Sequence, residues 1–460
     1  MRCGHISLWI IMVVQLAANV ANAQPPSRRP PSKTLPDWAQ TSWMARRNAV
    51  PEWALTSANV IDVTKGRVLK GVNVIVAGDM ISRVTTEPVP PEMRTVDISG
   101  KYVIPGLFDL HAHIQTSPGA SPDSEEGAIV LRQLLDHGVT TVRALPLLSE
   151  YATQVSALVA TGRVAGPTIV PASGVFERTP QRTSWGFGDP ETARAWVRRE
   201  ALNGTRWIKV YNSMDEASLT AIIEECDRYG MRVCGHTEDV PPALAVQLGI
   251  GTLEHVVSFP LSCLADGAER PKGLGLVERT ISRWKQVDDE RAEQLMRNMK
   301  HRNVGWVPTL VVLEQIAEQG GRERGLQLQE GDAAEMHNVI IQAAEKAVAF
   351  HRMGGLVGMG TDFPVDNVPI GESVHRELEL LVNAGGATPA EALQIATIES
   401  AKILGFGEML GTVSDGKQAD LVVLERNPLE DISATRTIAF VVHSGRMHKP
   451  GGSDDPKRRP

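Results

Sequence analysis

Eight short apolar runs that alternate with helix-length segments constrain the fold of this chain more than any other feature. They occupy residues 107–114, 139–144, 168–175, 206–211, 231–236, 251–257, 304–310 and 356–362. Apolar strands separated by helices are typical of parallel strands joined by helical crossovers. Eight such units close a TIM barrel, so we predict an α/β fold with a (β/α)8 barrel over residues 105–401.

The two flanks of this region have a different, β-rich character. Short β-type runs broken by glycine turns fill residues 55–104, and similar runs return in residues 402–447. We expect both flanks to pair into one small β-sandwich domain. The 460 residues of the chain leave room for it, since a TIM barrel needs about 250 residues.

The first residues of the chain have the pattern of a secretion signal. A charged start, an apolar stretch and the small-x-small sequence Ala21-Asn22-Ala23 predict a signal peptide over residues 1–23. Cleavage before Gln24 would release the protein into the periplasm or the medium, and an uncleaved anchor is the alternative. The Pro- and Arg-rich residues 24–54 and residues 448–460 are predicted as a lead segment and a flexible tail.

The net charge of the chain limits the kinds of binding partner that are expected. The formal net charge of -7 gives no reason to expect nucleic acid or an anionic membrane surface. A small molecule or short peptide is the expected partner, without a stable membrane span after signal cleavage, and assembly into a homo-oligomer stays open.

The cysteine content predicts no disulfide framework. Cys226, Cys234 and Cys263 would remain after signal cleavage, and this odd number predicts buried thiols.

His111 and His113 stand at the end of the first run. Residues two apart on a strand point to the same face, so both imidazoles would face the barrel mouth. Taken alone, the pair fits two interpretations equally well, metal ligands or strand-end histidines bonded to backbone. The remaining runs decide between them.

Lys209 lies in the fourth run, which reads Trp207-Ile208-Lys209-Val210-Tyr211. The alternation turns Ile208 and Val210 toward the helices and Lys209 into the barrel. A buried ammonium is costly unless it is paired or loses its proton. A neutral amine can react with carbon dioxide to form a carbamate that bridges two cations. The alternative is a lysine that reaches solvent at a strand end.

His236, His255 and Asp362 lie at or near the ends of the fifth, sixth and eighth runs. Barrel enzymes place their chemistry at the C-terminal ends of their strands. Any one of these residues would more often be structural, but with His111, His113 and Lys209 they place six metal-capable side chains at one mouth. We therefore predict a metal site there.

At these residues the chain resembles the amidohydrolase superfamily, and in particular its binuclear members with a carboxylated lysine. The most specific match is Ile104-Pro105-Gly106-Leu107-x-Asp109-x-His111-x-His113, and residues 411–424 match the usual return segment. The similarity covers about residues 55–447. It is greatest to the imidazolonepropionase-like and prolidase-like branch, which includes Xaa-Pro and Xaa-Arg dipeptidases and ochratoxin-hydrolysing amidases.

This resemblance implies a ligand arrangement and a reaction. His111, His113 and Asp362 would hold one metal, His236 and His255 the second, and carboxylated Lys209 would bridge them. Zinc is the default for these nitrogen and oxygen ligands. The implied reaction is hydrolysis of a peptide-like or N-acyl amino acid amide by a metal-bridging hydroxide, with Asp362 as general base and then general acid.

Other reactions stay open. The scissile bond could belong to a carbamate, a urea, a cyclic amide or a lactone, and a non-catalytic binding protein of the same fold is the remote alternative. Deamination is disfavoured because mononuclear deaminases of the superfamily lack the lysine. They also carry a glutamate three residues after the fifth-strand histidine, where this chain has Asp239.

Substrate-binding residues are the least constrained part of the prediction. Tyr211 shares the face of Lys209 and would reach a substrate carboxylate, or else fill a layer of the barrel interior. Trp185 and Arg178 follow the third run, where they would cover the pocket and bind an anionic group. The Thr-Gly-Gly-His stretch of dipeptide-cleaving relatives is missing, which argues against dipeptidase activity. His375 is expected on a helix surface.

Overall fold

The computed structural model describes residues 52–115, 121–178, 184–268, 274–319 and 328–451. Its strands are β1 (Glu52–Asp62), β2 (Arg67–Ala77), β3 (Met80–Thr85), β4 (Arg94–Asp97), β5 (Tyr102–Pro105), β6 (Leu107–Ala112), β7 (Val139–Ala144), β8 (Thr168–Glu177), β9 (Ser184–Gly186), β10 (Trp207–Val210), β11 (Arg232–Gly235), β12 (Thr252–Glu254), β13 (Gly305–Val307), β14 (Leu421–Leu424), β15 (Ile438–His443) and β16 (Arg446–His448). Its α-helices are α1 (Glu125–Asp136), α2 (Ser149–Ala160), α3 (Pro190–Leu202), α4 (Glu216–Arg228), α5 (Pro242–Leu248), α6 (Leu276–Trp284), α7 (Asp289–His301), α8 (Leu310–Gln319), α9 (Asp332–Arg352), α10 (Glu372–Asn383), α11 (Pro389–Gln394) and α12 (Ser400–Leu404).

Seven of the eight apolar runs form one parallel sheet, in the order β13-β12-β11-β10-β8-β7-β6, with β9 paired to β8. The eighth run is not a ladder strand within the described residues, but it bridges the gap between β13 and β6. Gly358 N donates to Trp306 O at 2.8 Å on one side, and Leu110 N donates to Met359 O at 2.7 Å on the other. A Cβ on Gly360 would come within 2.4 Å of Val307, so only glycine allows this close approach. The predicted barrel is confirmed, with a seam at its eighth strand.

A helical segment after the barrel strands fills the N-terminal end of the barrel. A π-helix, Ile395–Glu399, leads directly into α12. The side chains of Ala401 and Ile403 belong to a buried apolar cluster with residues of β6, β8, β10, β11 and β13. Among the described residues, this end of the barrel is therefore filled by apolar packing, and the opposite mouth is where barrel enzymes place their chemistry.

Both flanks of the barrel contribute to a second, eight-stranded sheet, in the order β16-β15-β14-β5-β1-β2-β3, with β4 paired to β1. The flanks meet where β14 runs antiparallel to β5, with Val422 opposite Ile104. The sheet has its own apolar core, as predicted for a β-structure built from both chain ends. β1 begins at Glu52, three residues before the predicted boundary, because Trp53 pairs with Val76 of β2.

Several predictions about the chain ends lie outside the described residues. These include the signal peptide, the lead segment up to residue 51 and the tail from residue 452. Within the described ranges, none of the helices combines the length and apolar character needed to cross a membrane. Cys226, Cys234 and Cys263 are buried free thiols, as predicted.

The expectation that His375 lies on a helix surface is wrong. The residue is 1% exposed, because its face of α10 packs against the 3-10 helix Ile432–Arg436. Its Nδ1 lies 3.0 Å from Thr435 Oγ1. Burial, reinforced by nearby His137 and Arg436, lowers the pKa of His375 from 6.5 to about 3.

We expect His375 to make the protein less stable in acid. The unfolded chain binds a proton on this side chain as the pH falls below 6.5, whereas the folded chain does so only near pH 3. The stabilisation is therefore complete above pH 6.5 and decreases below it. Between pH 6.5 and about pH 5, the free energy of unfolding in urea should fall by roughly 2 kcal/mol more for the wild type than for a His375→Gln variant. Identical pH slopes for the two proteins would contradict this expectation.

Candidate metal centre

The barrel seam places His111, His113 and Asp362 side by side. Asp362 N donates to His111 O at 2.7 Å, and His113 N donates to Phe363 O at 2.8 Å. These backbone bonds join the C-terminal end of β6 to the end of the eighth segment. The carboxylate of Asp362 therefore lies next to both imidazoles.

The three side chains form a compact donor set. Asp362 Oδ1 is 2.9 Å from His113 Nε2 and 3.4 Å from His111 Nε2. One ligand atom from each residue lies within 4.8 Å of the others. Two imidazole nitrogens and a carboxylate oxygen converging in this way suit a first-row divalent metal.

The other predicted ligands continue from this group around the barrel mouth. The ring centroids of His111 and His255 are 4.4 Å apart, and those of His255 and His236 are 4.8 Å apart. The ring of Tyr211 lies 4.2 Å from His236 and 5.9 Å from Lys209 Nζ. The structure thus brings all six predicted ligands to one mouth of the barrel.

Lys209 is the least satisfied of these groups. It is 2% exposed, and its Nζ has no hydrogen-bond partner within the part of the chain that the structure describes. Burial lowers the pKa of Lys209, although the charges of Glu254 and Asp362 oppose the change. A buried amine without a partner is unfavourable in an ordinary barrel core. Together with the neighbouring donor set, it fits a metal centre in which the lysine itself takes part.

Two buried charges that the sequence analysis did not single out orient His111. Glu254 Oε2 is 2.5 Å from His111 Nδ1, and Glu254 Oε1 accepts from Arg143 Nη2 at 2.7 Å. Arg143 and Glu254 are both fully buried. An Nδ1–H that donates to Glu254 leaves Nε2 of His111 for a metal, as in many metal-binding histidines. Burial, with help from Lys209, lowers the pKa of His111 and favours the neutral imidazole that ligation requires.

A sequence signal for this pair did exist. Thr252 and Glu254 alternate onto the same face of β12, and Arg143 is a charged residue within the otherwise uncharged run of β7. Opposite charges at inward positions of two barrel strands can be buried only if they pair.

Three of the non-glycine residues with a left-handed backbone are predicted ligands or contact one. His255, Thr309 and Asp362 have φ values of +59°, +52° and +64°, in the left-handed region that β-branched and bulky residues avoid. Thr309 Oγ1 lies 2.7 Å from His255 Nδ1 and so orients that imidazole. Residues held in such conformations cluster at functional sites, where surrounding contacts offset a cost of about 1–3 kcal/mol each.

The three predicted substrate-binding residues differ in where they lie relative to the six predicted ligands. Tyr211 lies next to His236, as described above. Arg178 is half exposed, with Nη1 2.7 Å from Asp215 Oδ2 at the start of α4, and no contact between it and the six ligands is found among the described residues. The backbone of Trp185 belongs to β9, but its side chain falls outside the described part of the structure.

Comparison with known proteins places this architecture in a family. The sequence model of the amidohydrolase family matches residues 102–448, which is most of the chain. The chain belongs to the amidohydrolase family. This amidohydrolase is 24% identical to ochratoxinase of Aspergillus niger over 454 residues, covering 84% of this chain and 85% of the relative.

Solved structures agree with this family assignment. A proposed prolidase from Bifidobacterium longum has a TM-score of 0.71 and 25% identity, covering 89% of the amidohydrolase and 97% of that chain. A Xaa-Pro dipeptidase with bound methionine has a TM-score of 0.67 and 21% identity, covering 86% and 100% respectively. At that identity the second likeness is one of fold.

Proposed function

We propose that this protein hydrolyses an amide bond in a short peptide-like or N-acyl amino acid substrate with the help of two divalent metal ions, zinc being the expected metal. The convergence of His111, His113, Lys209, His236, His255 and Asp362 at the C-terminal mouth of the barrel carries the proposal. The family and its ochratoxinase and prolidase relatives support amide hydrolysis as the reaction class.

In this proposal the six side chains divide between two metals. His111, His113 and Asp362 would hold the first, His236 and His255 would hold the second, and Lys209 would bridge them as a carbamate. The burial of Lys209 and its lowered pKa support this role, because only the neutral amine reacts with carbon dioxide. A carbamate would also place oxygen ligands where a solitary ammonium is unfavourable.

The chain's own groups suit the proton transfers of hydrolysis. Bound divalent metals would supply Lewis-acid polarisation of the scissile carbonyl and a lowered pKa for water. Asp362 lies at the centre of the donor set, where a carboxylate oxygen is placed to take a proton from the attacking water and return it to the leaving amine. The pair of Glu254 and Arg143 holds His111 in one tautomer throughout.

Tyr211 is the residue that we propose sets the substrate preference of the protein. Its ring lies against His236 at the barrel mouth, and the side chain is partly exposed there. We infer that its hydroxyl donates to a carboxylate at the end of the substrate opposite the acyl group. Substrates with a free carboxylate beside the scissile amide should therefore be preferred.

We expect protein produced with zinc and bicarbonate to carry close to two metals per chain and to hydrolyse N-acyl amino acids or dipeptides. Metal content is measured by plasma mass spectrometry, and activity is measured on a panel of N-acyl amino acids, dipeptides, aryl amides and lactones. Chelation should remove the activity and zinc should restore it. The methyl ester of the best acyl amino acid is the matched control for the carboxylate. Much less than one metal per chain, or turnover of lactones alone, would argue against the proposal.

A further inference from the structure

The segment that carries Asp362, residues 356–363, is held in the barrel unusually. On the β13 side it has ordinary backbone bonds, Trp306 N to Leu356 O at 3.0 Å and Gly358 N to Trp306 O at 2.8 Å. On the β6 side, Met359 O accepts from Leu110 N. Within the described structure, the amides of Val357, Met359 and Thr361 donate to side chains and not to β6 backbone, and a backbone bond from the segment to β6 returns only at Asp362 N, which donates to His111 O.

Three side chains take the place of a backbone ladder there. Val357 N donates to Glu399 Oε2 at 3.0 Å, Met359 N to Ser400 Oγ at 3.0 Å, and Thr361 N to Asp109 Oδ1 at 3.2 Å. These amides alternate along the segment, as expected for one edge of a strand. We call Glu399, Ser400 and Asp109 the side-chain ladder.

The π-helix and the residue after it place Glu399 and Ser400, two members of the side-chain ladder, against residues 356–363. Ser400 Oγ donates to Ile395 O at 2.7 Å, across the wide turn, while it accepts from Met359 N. Glu399 uses one oxygen for Val357 N and the other for His351 Nδ1, 2.8 Å away. A Cβ on Gly411 would lie 2.6 Å from Ile398 Cα, so the π-helix is tightly enclosed. Such π-turns within helices are frequent at functional sites.

We propose that Glu399 and Ser400 are positioning residues that set the location of Asp362 from the opposite end of the barrel. This inference rests on the proposed function for the role of Asp362. Val357, which donates to Glu399, lies five residues before Asp362, roughly 16 Å along a strand. Met359, which donates to Ser400, lies three residues before Asp362, roughly 10 Å along a strand. Both side chains therefore act at a distance from the metal centre. They act by fixing the register of the extended backbone that ends in Asp362. A displacement of about 1 Å at a reacting group can cost up to 100-fold in rate.

The test compares Glu399→Ala and Glu399→Gln with Glu391→Ala. Glu391 supplies a matched loss of a carboxylate, since it pairs with Arg352 and caps α11 through Thr388 in the preceding turns. In Glu399→Ala we expect kcat to fall by about 10- to 100-fold with KM unchanged, and zinc affinity in a chelator competition to fall with it. Glutamine keeps an acceptor for Val357 N, so Glu399→Gln should stay within about threefold of the wild type.

Hydrogen exchange measured by mass spectrometry provides a readout that does not depend on a substrate. The peptide spanning residues 356–363 should exchange faster in Glu399→Ala and not in Glu391→Ala. Faster exchange combined with unchanged kcat and zinc affinity would overturn the positioning role, and so would an equal loss of kcat in Glu391→Ala. If Glu399→Ala does not fold, Ser400→Ala replaces it with the same criteria. If no substrate is turned over by the wild type, zinc affinity and exchange still decide this inference separately from the proposed function.

Discussion

Replacing Lys209 with alanine is expected to lower kcat/KM by roughly 1,000-fold and to reduce the metal content from two per chain to one or less. The magnitude follows because metal stabilisation of a transition state is worth several kcal/mol and each 1.36 kcal/mol is a factor of about ten. The side chain is buried, and its amine has no alternative partner among the described residues. Its truncation would remove the only proposed bridge between the two halves of the ligand set.

Rescue by small carboxylates makes this expectation specific. Acetate or propionate should restore part of the activity and metal content of Lys209→Ala, because a carboxylate can occupy the space that a carbamate would fill. Lys285→Ala is the control, since Lys285 is half exposed and pairs with Glu335 at the surface. Full activity in Lys209→Ala would rule out a bridging role for this lysine.

Glu254→Gln is expected to be the most destabilising single change near the site. Arg143 would remain fully buried without a compensating charge, and breaking a buried pair in this way typically costs about 3–5 kcal/mol. His111 would lose the carboxylate beside its Nδ1, so zinc affinity should also fall by about 10- to 100-fold. Urea unfolding and chelator competition measure the two effects.

Two comparison variants separate stability from metal binding. Glu425→Gln breaks the ion pair between Glu425 and Lys101. Because the side chain of Glu425 is half exposed, this change should alter the free energy of unfolding by less than about 1 kcal/mol. A double Arg143→Met, Glu254→Met variant removes both buried charges and should recover stability without recovering zinc affinity. Equal urea midpoints for Glu254→Gln and Glu425→Gln would show that the buried pair has no special energetic role.

The barrel was predictable because its sequence signal is local and repeated. A strand such as β10, with Ile208 and Val210 facing the helices and Lys209 facing inward, encodes its orientation in its own alternation. The ends of such strands meet at one mouth in any closed parallel barrel. The approximate location of the six predicted ligands therefore followed from the strand pattern alone.

Contacts between distant parts of the chain were less predictable. The pattern of α10 does not reveal that residues 432–436 cover His375, because the covering segment lies about sixty residues away. The eighth apolar run also looks like an ordinary strand, and only its neighbours show that Glu399 and Ser400 replace part of its ladder. The alternation of apolar and polar residues shows which face of a strand or helix is buried, but it does not show which other segment of the chain covers that face.

The sequence by itself determined the alternating strands and helices, the β-rich flanks and the set of side chains at the barrel mouth, because hydrophobic periodicity and strand direction are properties of short segments. Only the tertiary structure decided how those side chains are held. The distance of 2.9 Å between Asp362 and His113 and the carboxylate of Glu254 at His111 arise where separate strands converge. The same holds for the amine of Lys209, which has no hydrogen-bond partner in the described part of the chain. Such contacts depend on the packing of the whole barrel, since the two hydrogen-bonded pairs join residues about 140 to 250 positions apart in the sequence.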